Sequence, residues 1–181
     1  MKKSLICIIV IYCFIIACKI IRKEKLPEME FVFPDSISAI YNGRDTTVFV
    51  SKENAKFVVL YDSTFCTPCQ TSNLYLWKRF IELNNSNFQT YIIFSPDEID
   101  LHTVRESLLE MNYDFFVYID SAYSFMKANS NYVWNKINNH FFLLDKRQMI
   151  KLLGFPFLEE DKEEEYMKAI EELKQEMRPN G

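Results

Sequence analysis

Glycine is scarce in this 181-residue chain, with 3 in all, and no Gly-rich phosphate loop appears. Histidine occurs only at His102 and His140, so a His-Glu-x-x-His zinc helix is excluded. Positive charge is not in excess either: 21 Lys and Arg stand against 25 Asp and Glu, a formal net charge of −4. Nucleic-acid binding therefore loses its electrostatic basis. Internal repeats and low-complexity tracts are missing apart from the acidic run 159–165, where acids suit the first turn of a helix. What the chain has is apolar material, 49% hydrophobic and 15% aromatic residues, enough to bury a core and to exclude disorder. Its length fits one domain.

The N-terminus reads Met1-Lys2-Lys3, followed by an apolar stretch from Leu5 to Ala17 that ends at Cys18. This is the pattern of a secretory signal, and it falls short of the roughly 20 residues that cross a bilayer comfortably. Ile15-Ile16-Ala17 before Cys18 resembles a bacterial lipoprotein box. That resemblance implies loss of residues 1–17 as a signal peptide, lipidation of Cys18, a tether over 18–30 and a domain over 31–181. Lys19, Arg22, Lys23 and Lys25 run against translocation of that side, and an uncleaved anchor or an ordinary cleaved signal are the alternatives. All three export the domain if the first lysines stay inside. The expected location is the bacterial cell envelope, on the periplasmic side of a membrane that the lipid holds.

Five cysteines are present. Cys7 and Cys13 lie in the signal stretch as apolar filler, and Cys18 is the lipidation candidate, so the domain keeps Cys66 and Cys69. A disulfide closing so short a loop restricts the unfolded chain by only about 2 kcal/mol, against roughly 3 for a fifteen-residue loop. Redox chemistry is the better use of such a pair in an exported protein.

Periodicity places the pair. Glu30-Phe31-Val32-Phe33 and Thr46-Thr47-Val48-Phe49-Val50 are strand-like, with a turn at Asn42-Gly43 between them. Lys56-Phe57-Val58-Val59-Leu60-Tyr61 is a continuous apolar run, as expected of a strand buried on both faces, and Asp62-Ser63-Thr64-Phe65 leads from it to the first cysteine. Leu74, Trp77, Ile81, Leu76, Phe80 and Leu83 then follow a helical period, with Pro68 suited to the first turn. A strand over 88–94, a helix over 97–111 with Leu101, Val104, Leu108 and Met111 on one face, and a strand over 115–120 continue the alternation. A hairpin over 141–153 turns at Lys146-Arg147-Gln148, and a last amphipathic helix carries Tyr166, Ile170, Leu173 and Met177.

Val58-Val59-Leu60-Tyr61-Asp62-Ser63-Thr64-Phe65-Cys66-Thr67-Pro68-Cys69 resembles the active-site segment of TlpA/ResA-like thioredoxins, in which a strand runs into an aromatic residue, Cys, any residue, Pro and Cys. Val117-Tyr118-Ile119-Asp120 and Phe142-Leu143-Leu144-Asp145 are similar to two further strands of that family, and Gly154 to the glycine after its hairpin. The resemblance spans roughly residues 50 to 175. It implies an α/β, thioredoxin-like fold: a central mixed sheet flanked by helices, here with a short N-terminal β extension. It also implies thiol–disulfide exchange with protein thiols and disulfides, Cys66 as nucleophile and Cys69 as resolving thiol, with no cofactor and no metal. Phe65, Thr67, Pro68, Asn139 and His140 are the expected substrate-binding positions. A cysteine at a helix N-terminus favours thiolate, and attack on a disulfide passes through a mixed disulfide that the second cysteine resolves.

Three positions depart from the family pattern. Phe65 stands where Trp is usual. Asn139 occupies the position of the family's cis-proline; a cis bond before a non-proline costs roughly 3 kcal/mol, so a trans loop of different shape is expected. Leu60 occupies the place of the buried carboxylate found in thioredoxin, which leaves Asp62 as the nearest candidate proton acceptor, beside its plainer reading as a strand-end turn residue. His140 adjoins Asn139 and is structural or acid–base; with Cys66 and Cys69 it makes at most a partial zinc site. His102 is expected to face solvent, Asp120 and Asp145 to form turns, and Phe115-Phe116 and Phe141-Phe142 to fill the core. A peroxiredoxin needs Thr three residues before its cysteine and Pro four before that, where Ser63 and Val59 stand. The alternative from another class is a non-catalytic thioredoxin-fold lipoprotein that binds a protein partner or a metal.

Overall fold

The computed structural model describes residues 28–132, 134, 140–158 and 160–176. The stretch 1–17 read as a signal peptide, with Cys7 and Cys13 in it, Cys18 and the expected tether up to residue 27, Asn139 and Met177 lie outside the described residues.

Seven strands form one mixed sheet: β1 Ser36–Tyr41, β2 Arg44–Phe49, β3 Ala55–Asp62, β4 Phe88–Ser95, β5 Val117–Ile119, β6 Phe141–Leu144 and β7 Ile150–Leu153. Their order is β2-β1-β5-β4-β3-β6-β7. The pairs β3–β4 and β4–β5 are parallel, and β1–β2, β1–β5, β3–β6 and β6–β7 are antiparallel. The helices are α1 Thr67–Ser72, a 3-10 turn Leu74–Trp77, α2 Lys78–Ile81, α3 Glu98–Met111, α4 Ser124–Ala128 and α5 Glu160–Glu176.

All eight residues of β3 are buried, and the period of two sorts their side chains between the faces of the sheet. Phe57, Val59 and Tyr61 join Leu74, Trp77, Phe80, Val104, Leu108, Tyr166, Ile170 and Leu173 in one core. Val58 and Leu60 join Phe31, Phe33, Phe125, Tyr132 and Phe142 in the other. The strand that delivers the first cysteine is thus held from both sides.

The N-terminal strand differs from expectation. Residues 30–33 form no ladder beyond an isolated bridge between Glu30 and Met149, and the strand that precedes the turn is Ser36–Tyr41. Pro34 explains the shift: it has no N–H to give a ladder, so Phe31 and Phe33 enter the core as side chains while pairing begins two residues later. Asn42 and Gly43 both take positive φ, 48° and 63°, as a two-residue hairpin turn of the primed type requires. Tyr41 pairs with Arg44 across it.

Three more expectations are corrected. The helix after the dithiol is not continuous; the Thr71 and Ser72 hydroxyls bond back to the Pro68 carbonyl, a competition that weakens helices, and α1 gives way to the 3-10 turn. Leu76, expected inward, is partly exposed there. Phe116 is not core: it lies at the surface, stacked on Tyr41 at 4.7 Å.

Candidate functional site

β3 ends at Asp62, and the chain turns at once. The Phe65 N–H donates to the Asp62 carbonyl at 3.1 Å, while Asp62 Oδ1 accepts from the Thr64 N–H at 2.9 Å and the Thr64 hydroxyl at 2.6 Å. Asp62 is therefore the turn former foreseen for that position. Cys66 follows in extended conformation as the N-cap of α1, with Pro68 in the first turn, and its carbonyl accepts the Gln70 N–H at 3.0 Å.

The two sulfurs are bonded, with an S–S distance of 2.24 Å and Cα atoms 5.3 Å apart. Cys66, Pro68 and Cys69 are all exposed. Phe65 is half-buried. Its ring meets Tyr61 at 5.3 Å, His140 at 5.3 Å and Phe141 at 6.1 Å, all edge-on. It anchors the turn to the core.

His140 lies beside this turn, 2% exposed, and its Nε2 is 3.0 Å from Asp62 Oδ2. An ionised carboxylate only accepts, so Nε2 carries the proton in that bond. Burial pushes the Asp62 carboxyl up, but hydrogen bonds from His140 and Thr64 outweigh it and hold Asp62 below the usual carboxylate value. Sequence reasoning named both residues singly and missed the pair. They stand 78 positions apart, and only the β3–β6 ladder, with Val59 opposite Phe141, brings them together.

Around the rim, the Tyr123 hydroxyl donates to Asp97 Oδ1 at 2.6 Å. Burial and Asp97 push that phenol up, and a hydrogen bond with Ser63 of the turn acts against them. Leu60 points into the apolar core, with no carboxylate at that place. Asp120 accepts from the Ser124 and Phe125 N–H groups and Asp145 from those of Arg147 and Met149, the turn roles expected of both. His102 is exposed and pairs with Glu106 at 3.2 Å. Among the described residues no three His, Cys, Asp or Glu side chains are grouped to hold a metal ion; Cys66, Cys69 and His140 do not assemble as a zinc site.

No protein-family model and no curated protein sequence matches the chain. Solved structures do. An uncharacterized thioredoxin-like protein from Porphyromonas gingivalis matches at TM-score 0.50 and 14% identity, over 85% of this chain and 99% of that one. The exposed lipoprotein thioredoxin of Streptococcus pneumoniae matches at TM-score 0.50 and 11% identity, over 76% of this chain and 98% of that one. The chain has a thioredoxin-like fold, with a mixed sheet and flanking helices.

Proposed function

We propose that this protein is an exported, membrane-tethered thiol–disulfide oxidoreductase of the TlpA/ResA kind, working on protein thiols and disulfides through Cys66 and Cys69. The observation that carries this reading is a disulfide between two exposed cysteines where a fully buried strand hands over to a helix.

In the reducing direction, the Cys66 thiolate attacks one sulfur of a partner disulfide and the other partner sulfur leaves as a thiolate. Cys69, losing its proton, then attacks Cys66 of the mixed disulfide. The second partner thiolate departs, the Cys66–Cys69 bond closes, and two electrons have passed to the partner; an external thiol restores the dithiol. Exposure of both cysteines suits this sequence, since each must meet a partner atom or bulk water.

Comparing disulfide-reductase rates of the full chain and its Cys66→Ser variant tests the reading. Loss of the rate by about a hundredfold or more is expected, because the attacking atom is gone; equal rates contradict it and leave the partner-binding alternative.

The tether belongs to the same proposal. Lipidation of Cys18 follows from the sequence pattern, and the pneumococcal protein of similar fold is itself described as an exposed lipoprotein. Among the described residues no helix is long and apolar enough to cross a membrane. Mass spectrometry of the native protein is expected to find an acylated Cys18 as its first residue; an intact Met1 or an unmodified Cys18 contradicts this.

A further inference from the structure

The Asp62 carboxylate lies inside the turn that carries the nucleophile. It receives both Thr64 donors on one oxygen and His140 on the other, and its own carbonyl takes the N–H of Phe65, the residue before Cys66. His140 closes the arrangement from the other side, its ring edge-on to Phe65. The pair is buried, whereas Cys66 and Cys69 are exposed. A fixed negative charge in a poorly solvated place acts on neighbouring ionisations more strongly than one in water.

Among the described residues, the other titratable groups facing this spot add no positive charge. The loop from β4 to α3 brings Asp97, and the loop from β5 to α4 brings Tyr123, which bonds to Asp97 and reaches Ser63. Residues 62–66, 96–100, 120–124 and 140–141 contain no Lys or Arg. α1 spans six residues, so its dipole is that of less than two turns.

We propose that the Asp62–His140 pair is a positioning device for Cys66: it clamps the turn that presents the sulfur and raises that sulfur's affinity for its proton. The inference rests on the thiol–disulfide reading above and adds a direction to it. A thiolate made less stable weights the couple toward its disulfide. The dithiol then gives up two electrons and two protons readily, closing the Cys66–Cys69 bond while a partner disulfide becomes two thiols. The ligand class is an oxidised protein partner.

The test is the pH dependence of Cys66 alkylation by iodoacetamide in the reduced full-length chain, localised to Cys66 by mass spectrometry. Asp62→Asn keeps an oxygen for Thr64 and removes the charge. Its alkylation midpoint is expected to fall by about one pH unit; a midpoint that stays or rises overturns the proposal. Should that variant not fold, the unaltered protein decides: its Cys66 midpoint is expected above the roughly 8.5 of a free cysteine, and a midpoint below that value overturns the proposal. Alkylation needs one thiol and no turnover, so its outcome stands apart from any failure of the reductase assay.

Discussion

Lys56 shows what burial does to a single charge. It is the second residue of β3, at the end opposite the dithiol, and is wholly buried; its ammonium donates to the Asn54 carbonyl and Gln148 Oε1, both at 2.8 Å, and lies 5.0 Å from the Phe33 ring centre. Those partners are neutral, so desolvation dominates and lowers the ammonium's pKa to about 8. The unfolded chain keeps that proton to about pH 10.4. Between the two values the unfolded state binds more protons, so this group makes folding more favourable as pH rises from 8 toward 10. Urea titrations are expected to show wild type gaining stability relative to Lys56→Met over that window; a constant difference contradicts it. At the same scale, Lys56 read from sequence is the first residue of a strand, because nothing nearby reveals that Gln148, 92 positions on, caps its charge.

At the scale of elements, the hairpin β1–β2 extends the sheet by its pairing to β5 and sits against the end of α3. A Cβ on Gly43 would stand 3.0 Å from the Leu109 carbonyl oxygen and 3.3 Å from Asn112 Oδ1, at a φ of 63°. Gly43→Ala is therefore expected to cost about 1–2 kcal/mol, read as a lower urea midpoint at unchanged slope; no loss contradicts the packing described. The turn was legible because Asn-Gly takes positive φ cheaply. The strand before it was not: Ser36, Ser38 and Ala39 carry little strand signal, while the aromatic Phe31 and Phe33 mimic one. The helix break at Asn73 was hidden for another reason. Leu74, Trp77 and Phe80 recur every three residues, a spacing that an α-helix and a 3-10 turn both satisfy.

For the whole molecule, alternation of buried strands with amphipathic helices carried most of the fold, and the position of the Cys-x-x-Cys after a buried strand carried the candidate site. The Asp62–His140 pair escaped because it depends on strand order, which local patterns do not encode. The sheet holds β3 between β4 and β6, and that placement sets Asp62 in register with Ser95 on one side and beside His140 on the other. The account stands on Cys66 attacking a partner's sulfur. Its most direct measurement is trapping: the full chain with Cys69→Ser, incubated with a disulfide-containing protein and analysed by mass spectrometry. A covalent adduct on Cys66 that a reducing agent releases is the predicted result. Absence of any adduct, with Cys66 still a free thiol after the partner disulfide has been offered in excess, would contradict it.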